Sequence, residues 1–328
     1  MKRASKKHRL GRWATFVILI AVLMVGGFVF VSLLNGKQLK VSLHPWPGYE
    51  SFMLADSFGW LSSEIGLVSV QNASQTLKLL EQGEVHAAAL TLDEAIYARS
   101  QGMPLDIIAI LDESVGADVL LSWKSNSALS DLQGTTIAYE GNTVSSLVLS
   151  QLLQLSGLNR ADVELVKIPP NDQITYWSTE TFDYAISFEP YASYLENLGA
   201  KRVIDSRAFP NVIYDVLVVR NDARFFRETA IKDLLWAHFK ALHYIRVNSE
   251  DALRRIAAWR SLSYEENRKA FSGLYLPDLD YNKRMLNVDS EFYDAVKMVN
   301  ITMNGGTPLL SENQLKAMLQ PAFLFRID

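Results

Sequence analysis

Three carboxylates, Asp118, Glu189 and Asp215, stand at or near the ends of extended segments, with aromatic residues in comparable loops. Trp46 and Tyr49 occupy the loop His44-Pro45-Trp46-Pro47-Gly48-Tyr49, and Tyr176 and Trp177 follow Pro169-Pro170. Carboxylates beside aromatic faces suit cations, because the ring face is electronegative and the carboxylate supplies the counter-charge. Asn72-Ala73-Ser74, Thr91-Leu92-Asp93 and Asn142-Thr143 open helices, where free amides bind anions or ligand oxygens. Lys and Arg are missing from these loops. That weakens a strongly anionic ligand and favours an amine, a zwitterion or a neutral heterocycle. Each feature also has a plain structural alternative: rings that only pack a loop, residues that only cap a helix, carboxylates solvated at the surface. Glu189 is the strongest of the carboxylates, since Pro190 and Tyr191 hold it on a tight strand-to-helix turn.

Other chemistry is missing. The sequence has no phosphate-binding loop, no G-x-G-x-x-G, no G-x-S-x-G and no H-E-x-x-H. It has no cysteine, which excludes disulfides, thiolate metal sites, a cysteine nucleophile and a lipid on an N-terminal Cys. His238 and His243 are five apart, off the i, i+4 spacing of a helical metal pair, and His44 and His86 read as surface or loop residues. No catalytic residue, metal or cofactor is expected.

The elements that must position these residues alternate. Leu39–Leu43 reads as a strand, 49–61 as a helix, 67–70 as a strand, and Asn72 starts another helix. A strand over 87–90 follows. Thr91 and Glu94 then form a capping box for helix 92–100, and strands follow at 107–111 and 119–123. A second series runs through a strand at 135–139 and a helix at 144–156 closed by Gly157, with strands at 163–168, 182–186 and 201–204. An alternating strand at 212–219 and a helical remainder complete the chain, with further capping boxes at Ser263/Glu266 and Ser311/Gln314. Strands alternating with helices predict an α/β fold with largely parallel sheets. Two such series predict two lobes, 39–122 with 215–328 and 123–214. Two chain crossings near 119–123 and 214–219 would form a hinge beside a cleft, which Tyr176 and Trp177 could roof.

Charge and hydropathy place this body. Residues 13–34 form one apolar run of 22 residues, about 33 Å as a helix and enough to span a bilayer. Lys2, Arg3, Lys6, Lys7, Arg9 and Arg12 precede it, so the tail 1–12 is predicted to stay in the cytoplasm and the body to lie outside the inner membrane. The run is longer than a signal-peptide core and lacks a good cleavage site, so an uncleaved anchor is expected, with a cleaved signal and a periplasmic product as the alternative. The net charge is −4; without the six tail cations, 26 basic residues face 36 acidic ones. An acidic body argues against nucleic acid as partner. The 49% hydrophobic composition excludes a disordered chain, and one apolar run excludes a multi-span channel.

Four segments carry a family likeness: LHPWPGYESFML (43–54), SDLQGTTIAY (130–139), LSQLLQLSGLNRADV (149–163) and SFEPY (187–191). Their order and spacing resemble the type II periplasmic solute-binding proteins of ABC importers, in the nitrate, sulfonate, taurine and thiamine-precursor (NMT1/THI5-like) branch, over about residues 39–275. The resemblance implies a two-lobed type II periplasmic-binding-protein fold with hinge strands. It also implies capture of a small polar organic or anionic solute, such as a sulfonate, nitrate, taurine or a pyrimidine precursor, for an ABC permease and its ATPase. It makes Trp46 and Tyr49 ligand-facing aromatics, Thr91 and Asp93 contacts of the third-strand loop, and Asn142 and Thr143 the amide-rich contact of the second lobe, with Glu189 opposite. Asn72, Asp118, Trp177 and Asp215 complete the expected ligand set. A membrane-tethered sensor or adaptor with the same cleft is the second reading, and an enzyme on this fold the third.

Overall fold

The computed structural model describes residues 38–179, 181–224 and 227–327. The basic tail 1–12 and the apolar run 13–34 lie outside the described residues, and with them the choice between anchor and cleaved signal. Among the described residues no helix is long and apolar enough to cross a membrane.

The strands are β1 Leu39–Leu43, β2 Ile65–Ser69, β3 Ala87–Thr91, β4 Leu105–Ser114, β5 Asp118–Ser122, β6 Thr136–Tyr139, β7 Glu164–Lys167, β8 Tyr184–Phe188, β9 Lys201–Asp205, β10 Tyr214–Arg220 and β11 Leu274–Tyr275. They form two sheets, ordered β11-β4-β10-β3-β1-β2 and β7-β6-β8-β5-β9. β4 and β5 are buried at every position, and β3 at all but its last. Continuous apolar runs of this kind belong to strands covered by helices on both faces. One large core packs the first sheet and its helices, and a smaller cluster around Val119, Leu121, Trp177 and Phe182 adds to the second.

The expectation of largely parallel sheets needs one correction. β1 runs parallel to β2 and β3, and β6 parallel to β7 and β8, but β10 is antiparallel to both its neighbours, as is β5. Each sheet thus contains one inserted antiparallel strand, entered directly from the other sheet, and the first also carries β11, antiparallel to β4 at its edge. Asp118–Ser122 also departs from the expected lobe border, because it pairs with β8 and β9 of the second sheet. The chain leaves the first sheet at Ser114, and Gly116 makes the turn with φ +128°, a conformation that side chains rarely adopt. The return segment lies alongside. Ser206 Oγ accepts from Gly116 N at 2.6 Å and stands 2.9 Å from Ser114 Oγ.

Local signals set the helix starts around the cleft. The Asn72 side chain accepts from Gln75 N and the Asn142 side chain from Ser145 N, each at 3.0 Å. Gly157 closes helix Thr143–Ser156 in the left-handed region, as expected. The capping box at Thr91 forms only by half: Glu94 Oε2 accepts from Thr91 N at 3.1 Å, whereas the Thr91 hydroxyl makes no cap bond. Ser263 and Glu266 form the complete reciprocal box.

Candidate functional site

Strand register builds the site. Asp215, near the start of β10, lies in register with Thr91 on β3 and with Asp112 on β4. β3 and β4 end here while antiparallel β10 begins, so the three side chains gather at the carboxyl edge of the parallel strands. Open α/β sheets bind ligands at this edge. In the second sheet Asp118 is in register with Phe188 at the end of β8. The two edges enclose a cavity of 540 Å³, lined among others by His44, Trp46, Tyr49, Asn72, Thr91, Glu94, Asp118, Glu140, Asn142, Phe188, Tyr191 and Asp215.

Its polar groups are largely shielded from water. Tyr49 donates to Asp215 Oδ1 at 2.5 Å, and Trp46 Nε1 donates to both oxygens of Asp112 at 3.2 and 3.1 Å. Burial pushes Asp112 and Asp118 up to about 7, and burial together with the Asp93 charge pushes Glu94 up to about 8. Asp215 lies well above the ordinary carboxylate range, first through burial and then through the Asp112 charge beside it. Both carboxyls are thus raised, and the two titrate as a pair. Burial holds His44 down to about 4, which makes it neutral near pH 7. Asp118 Oδ2 and His44 Nδ1 are buried without a protein partner.

Of the expected ligand residues, Trp46, Tyr49, Asn72, Thr91, Asp118, Asn142 and Asp215 line the cavity. Four do not. Asp93 is buried at the head of helix Leu92–Ser100, and that burial raises its pKa. It lies outside the cavity lining. Thr143 lines an adjoining hollow of 490 Å³. Trp177 does not roof the cleft. Pro170, Gln173 and Trp177 recur at helical spacing on a buried face, which carries Trp177 into the second core against Trp123 and Phe182. Tyr176, the other expected roof residue, is exposed and lies outside the cavity lining. Glu189 follows Phe188 at the strand end, where successive side chains take opposite sides. It turns away from the cavity, accepting from Arg202 Nη2 at 3.0 Å and from Ser193 N at 3.1 Å.

Sequence reasoning missed His44, Asp112, Glu94, Glu140, Phe188 and Tyr191. His44 was read as a loop or surface residue, yet it lines the cavity and packs edge-on to Tyr49 at 5.1 Å between ring centroids. The signal for Asp112 was its place inside the apolar run Leu105–Ser114, where a charged residue needs a partner. Asp106 in the same run has such a partner in Arg224 at 2.7 Å. Glu94 was read only as a cap. Among the described residues no group of three or more His, Cys, Asp or Glu is arranged to hold a metal ion.

Several solved structures share this architecture. The alkanesulfonate-binding protein SsuA of Xanthomonas axonopodis pv. citri, bound to MOPS, is 15% identical over 86% of this chain and 96% of its own, with a TM-score of 0.68. The aliphatic sulphonate-binding protein SsuA of Escherichia coli is 19% identical over 89% and 92%, with a TM-score of 0.69. A ligand-binding component of an ABC-type import system from Staphylococcus aureus, with zinc bound, is 13% identical over 89% and 99%, with a TM-score of 0.72. At these identities the likeness establishes the fold alone, and that fold is the two-sheet α/β fold of periplasmic solute-binding proteins. Within that class the chain belongs to the NMT1-like family, whose model matches residues 34–261. Among curated proteins none matches this chain.

Proposed function

We propose that the chain is the solute-binding component of an ABC importer. It acts by binding, without turnover, and delivers a small polar organic solute to a membrane permease and its ATPase. The observation that carries the reading is the 540 Å³ cavity between the carboxyl edges of the two sheets, where Asp118 Oδ2 and His44 Nδ1 are buried without partners. Buried polar atoms are normally satisfied, so such atoms at a cavity wall suit a ligand. Family membership and the SsuA folds support the same reading. Two segments join the sheets, β4 to β5 and β9 to β10, and they permit the lobes to close on a ligand as a population shift that the permease reads. The N-terminal apolar run would keep this body on the periplasmic side of the inner membrane, or direct its export there.

Thermal unfolding of the full-length chain against a panel of nitrate, sulfonates, taurine, pyrimidines, polyamines and betaines tests the proposal. A ligand at about 100 times its dissociation constant adds about 2.7 kcal/mol of stability. A saturable shift with one class supports the reading, and flat responses to the whole panel overturn it.

A further inference from the structure

The geometry points to an organic cation, a protonated amine or amidinium on a small flat body, as the solute class that this cleft selects over sulfonate-type anions. This inference rests on the solute-binding reading above. Asp118 supplies the anchor: it is 5% exposed, it lines the cavity, and its Oδ2 has no protein partner. In its ionised form this unpaired carboxylate oxygen accepts hydrogen bonds, so it calls for a donor on the ligand. A charged donor makes the stronger bond.

The walls agree with this anchor. No Lys or Arg occurs among the described residues that line the cavity, and His44 is neutral. Trp46, Tyr49, Phe188 and Tyr191 give it aromatic walls, which attract cations. Part of what could meet an anion is already engaged. The Asn72 and Asn142 side chains occupy amides at their own helix starts, Glu94 takes the Thr91 amide, and Asp93 is buried at the head of helix Leu92–Ser100. Arg202 is committed to Glu189, Glu196 and the Gly116 carbonyl, and Arg207 to Asp205. A sulfonate entering here would meet Asp215, Asp118 and Glu94 without a counter-cation in the lining.

The two ligand classes move protons in opposite directions. The titratable groups around Asp118 and Asp215 are Asp93, Asp112, Glu94 and Tyr49, with Glu113 and Glu140 acting on Asp112 and Glu94. Lys167 lays its aliphatic stem over Gly141, next to the cavity residue Asn142. Asp118 and Glu94, up at about 7 and about 8, are partly protonated in the empty protein near neutral pH. A cation lowers these values and expels protons, whereas an anion raises them and draws protons in.

The test uses the full-length chain and three probes of matched shape, benzamidine, benzamide and benzenesulfonate, together with agmatine, choline, taurine and nitrate. Calorimetry gives affinities between pH 6 and 8, and a weakly buffered titration gives the sign of proton transfer. The expected result is benzamidine or another cation binding at least about tenfold tighter than benzamide, with proton release and tightening as pH rises. Asp118→Asn should erase that preference. Because that variant also changes stability, the proton sign on the unaltered chain stands as an independent reading. Tighter binding of benzenesulfonate, taurine or nitrate with proton uptake would overturn the cation inference and leave the solute-binding reading intact. Binding of none of these probes would remove both.

Discussion

Trp46 and Phe188 meet across the cleft with ring centroids 5.9 Å apart and planes at 70°. Trp46 belongs to the loop after β1 of the first sheet, and Phe188 ends β8 of the second. This edge-to-face contact joins the lobes directly over the cavity that both residues line. The Trp46 indole N–H is engaged by Asp112, so the ring is held from both sides.

Trp46→Ala should therefore weaken ligand binding by about 1–3 kcal/mol, as loss of a buried aromatic contact does. Trp46→Phe should keep the contact with Phe188 and raise the Asp112 pKa, because the hydrogen bond that lowers it is gone. Calorimetry with the best probe, and carboxyl titration followed by NMR, check the two variants. Unchanged affinity of the folded Ala variant would remove Trp46 from the site.

Gly48 carries the next prediction. A Cβ there would lie 1.7 Å from Asp112 Oδ2 and 2.9 Å from Trp46 Nε1. Gly48→Ala must displace a buried carboxyl and break the Trp46–Asp112 bonds, at a cost of about 1–3 kcal/mol. Urea unfolding reads the cost. A variant as stable as the parent would show that the loop absorbs the methyl group.

Burial of the cleft carboxyls opposes folding at neutral pH. Asp118 rises from an ordinary 3.8 to about 7 through burial, its largest cause, with Asp93 adding to the rise and Ser114 reducing it. The folded state then binds the proton more tightly than the unfolded chain. That stabilisation is complete below about pH 4 and is lost as pH rises through about 7. Asp118→Asn removes the pH-dependent cost, at most about 4 kcal/mol. Its melting temperature should match the parent near pH 4 and exceed it increasingly up to pH 8. A parallel pair of curves would refute this account.

Glu189→Gln should act on stability and not on ligand choice. The Glu189 carboxylate is buried between Arg202 and Ser193 N, outside the cavity lining. Arg202 keeps Glu196 at 3.1 Å, so the loss should stay near about 1–3 kcal/mol. Chemical unfolding gives the loss, and a cation affinity that collapsed without loss of stability would return Glu189 to the site.

Ser206→Ala probes the crossing between the sheets. Its hydroxyl accepts from Gly116 N at 2.6 Å, and Ser206 is fully buried. The variant leaves that amide unpaired, which costs about 1–3 kcal/mol. Faster amide exchange confined to 114–117 is the expected signature. Unchanged exchange there would show that the crossing does not depend on this bond.

Much of the fold was legible in the sequence because its signals are local. The alternation in LKVSL marked β1 at its observed bounds, Asn72 and Asn142 announced their helices as N-caps, and Gly157 ended one of them. The cavity lining was legible at Trp46, Tyr49 and Asp215, which combine chemical type with a position at or just after a strand. It was misread at Trp177 and Glu189, where a helical face and a strand's alternation decide which way a side chain points. His44 and Glu94 escaped because a loop histidine and a capping glutamate look ordinary until burial is known.

By itself the sequence determined the order of strands and helices, the two α/β series and the missing cysteine, since periodicity and composition are properties of neighbouring residues. Only the tertiary structure decided that Asp118–Ser122 joins the second sheet and that Thr91, Asp215 and Asp112 share one register. Pairing between residues so far apart is set by which faces can be buried together, and a local pattern carries no record of it. The same packing removes water from these carboxyls and raises their proton affinity, which sets them apart from the acidic residues at the surface.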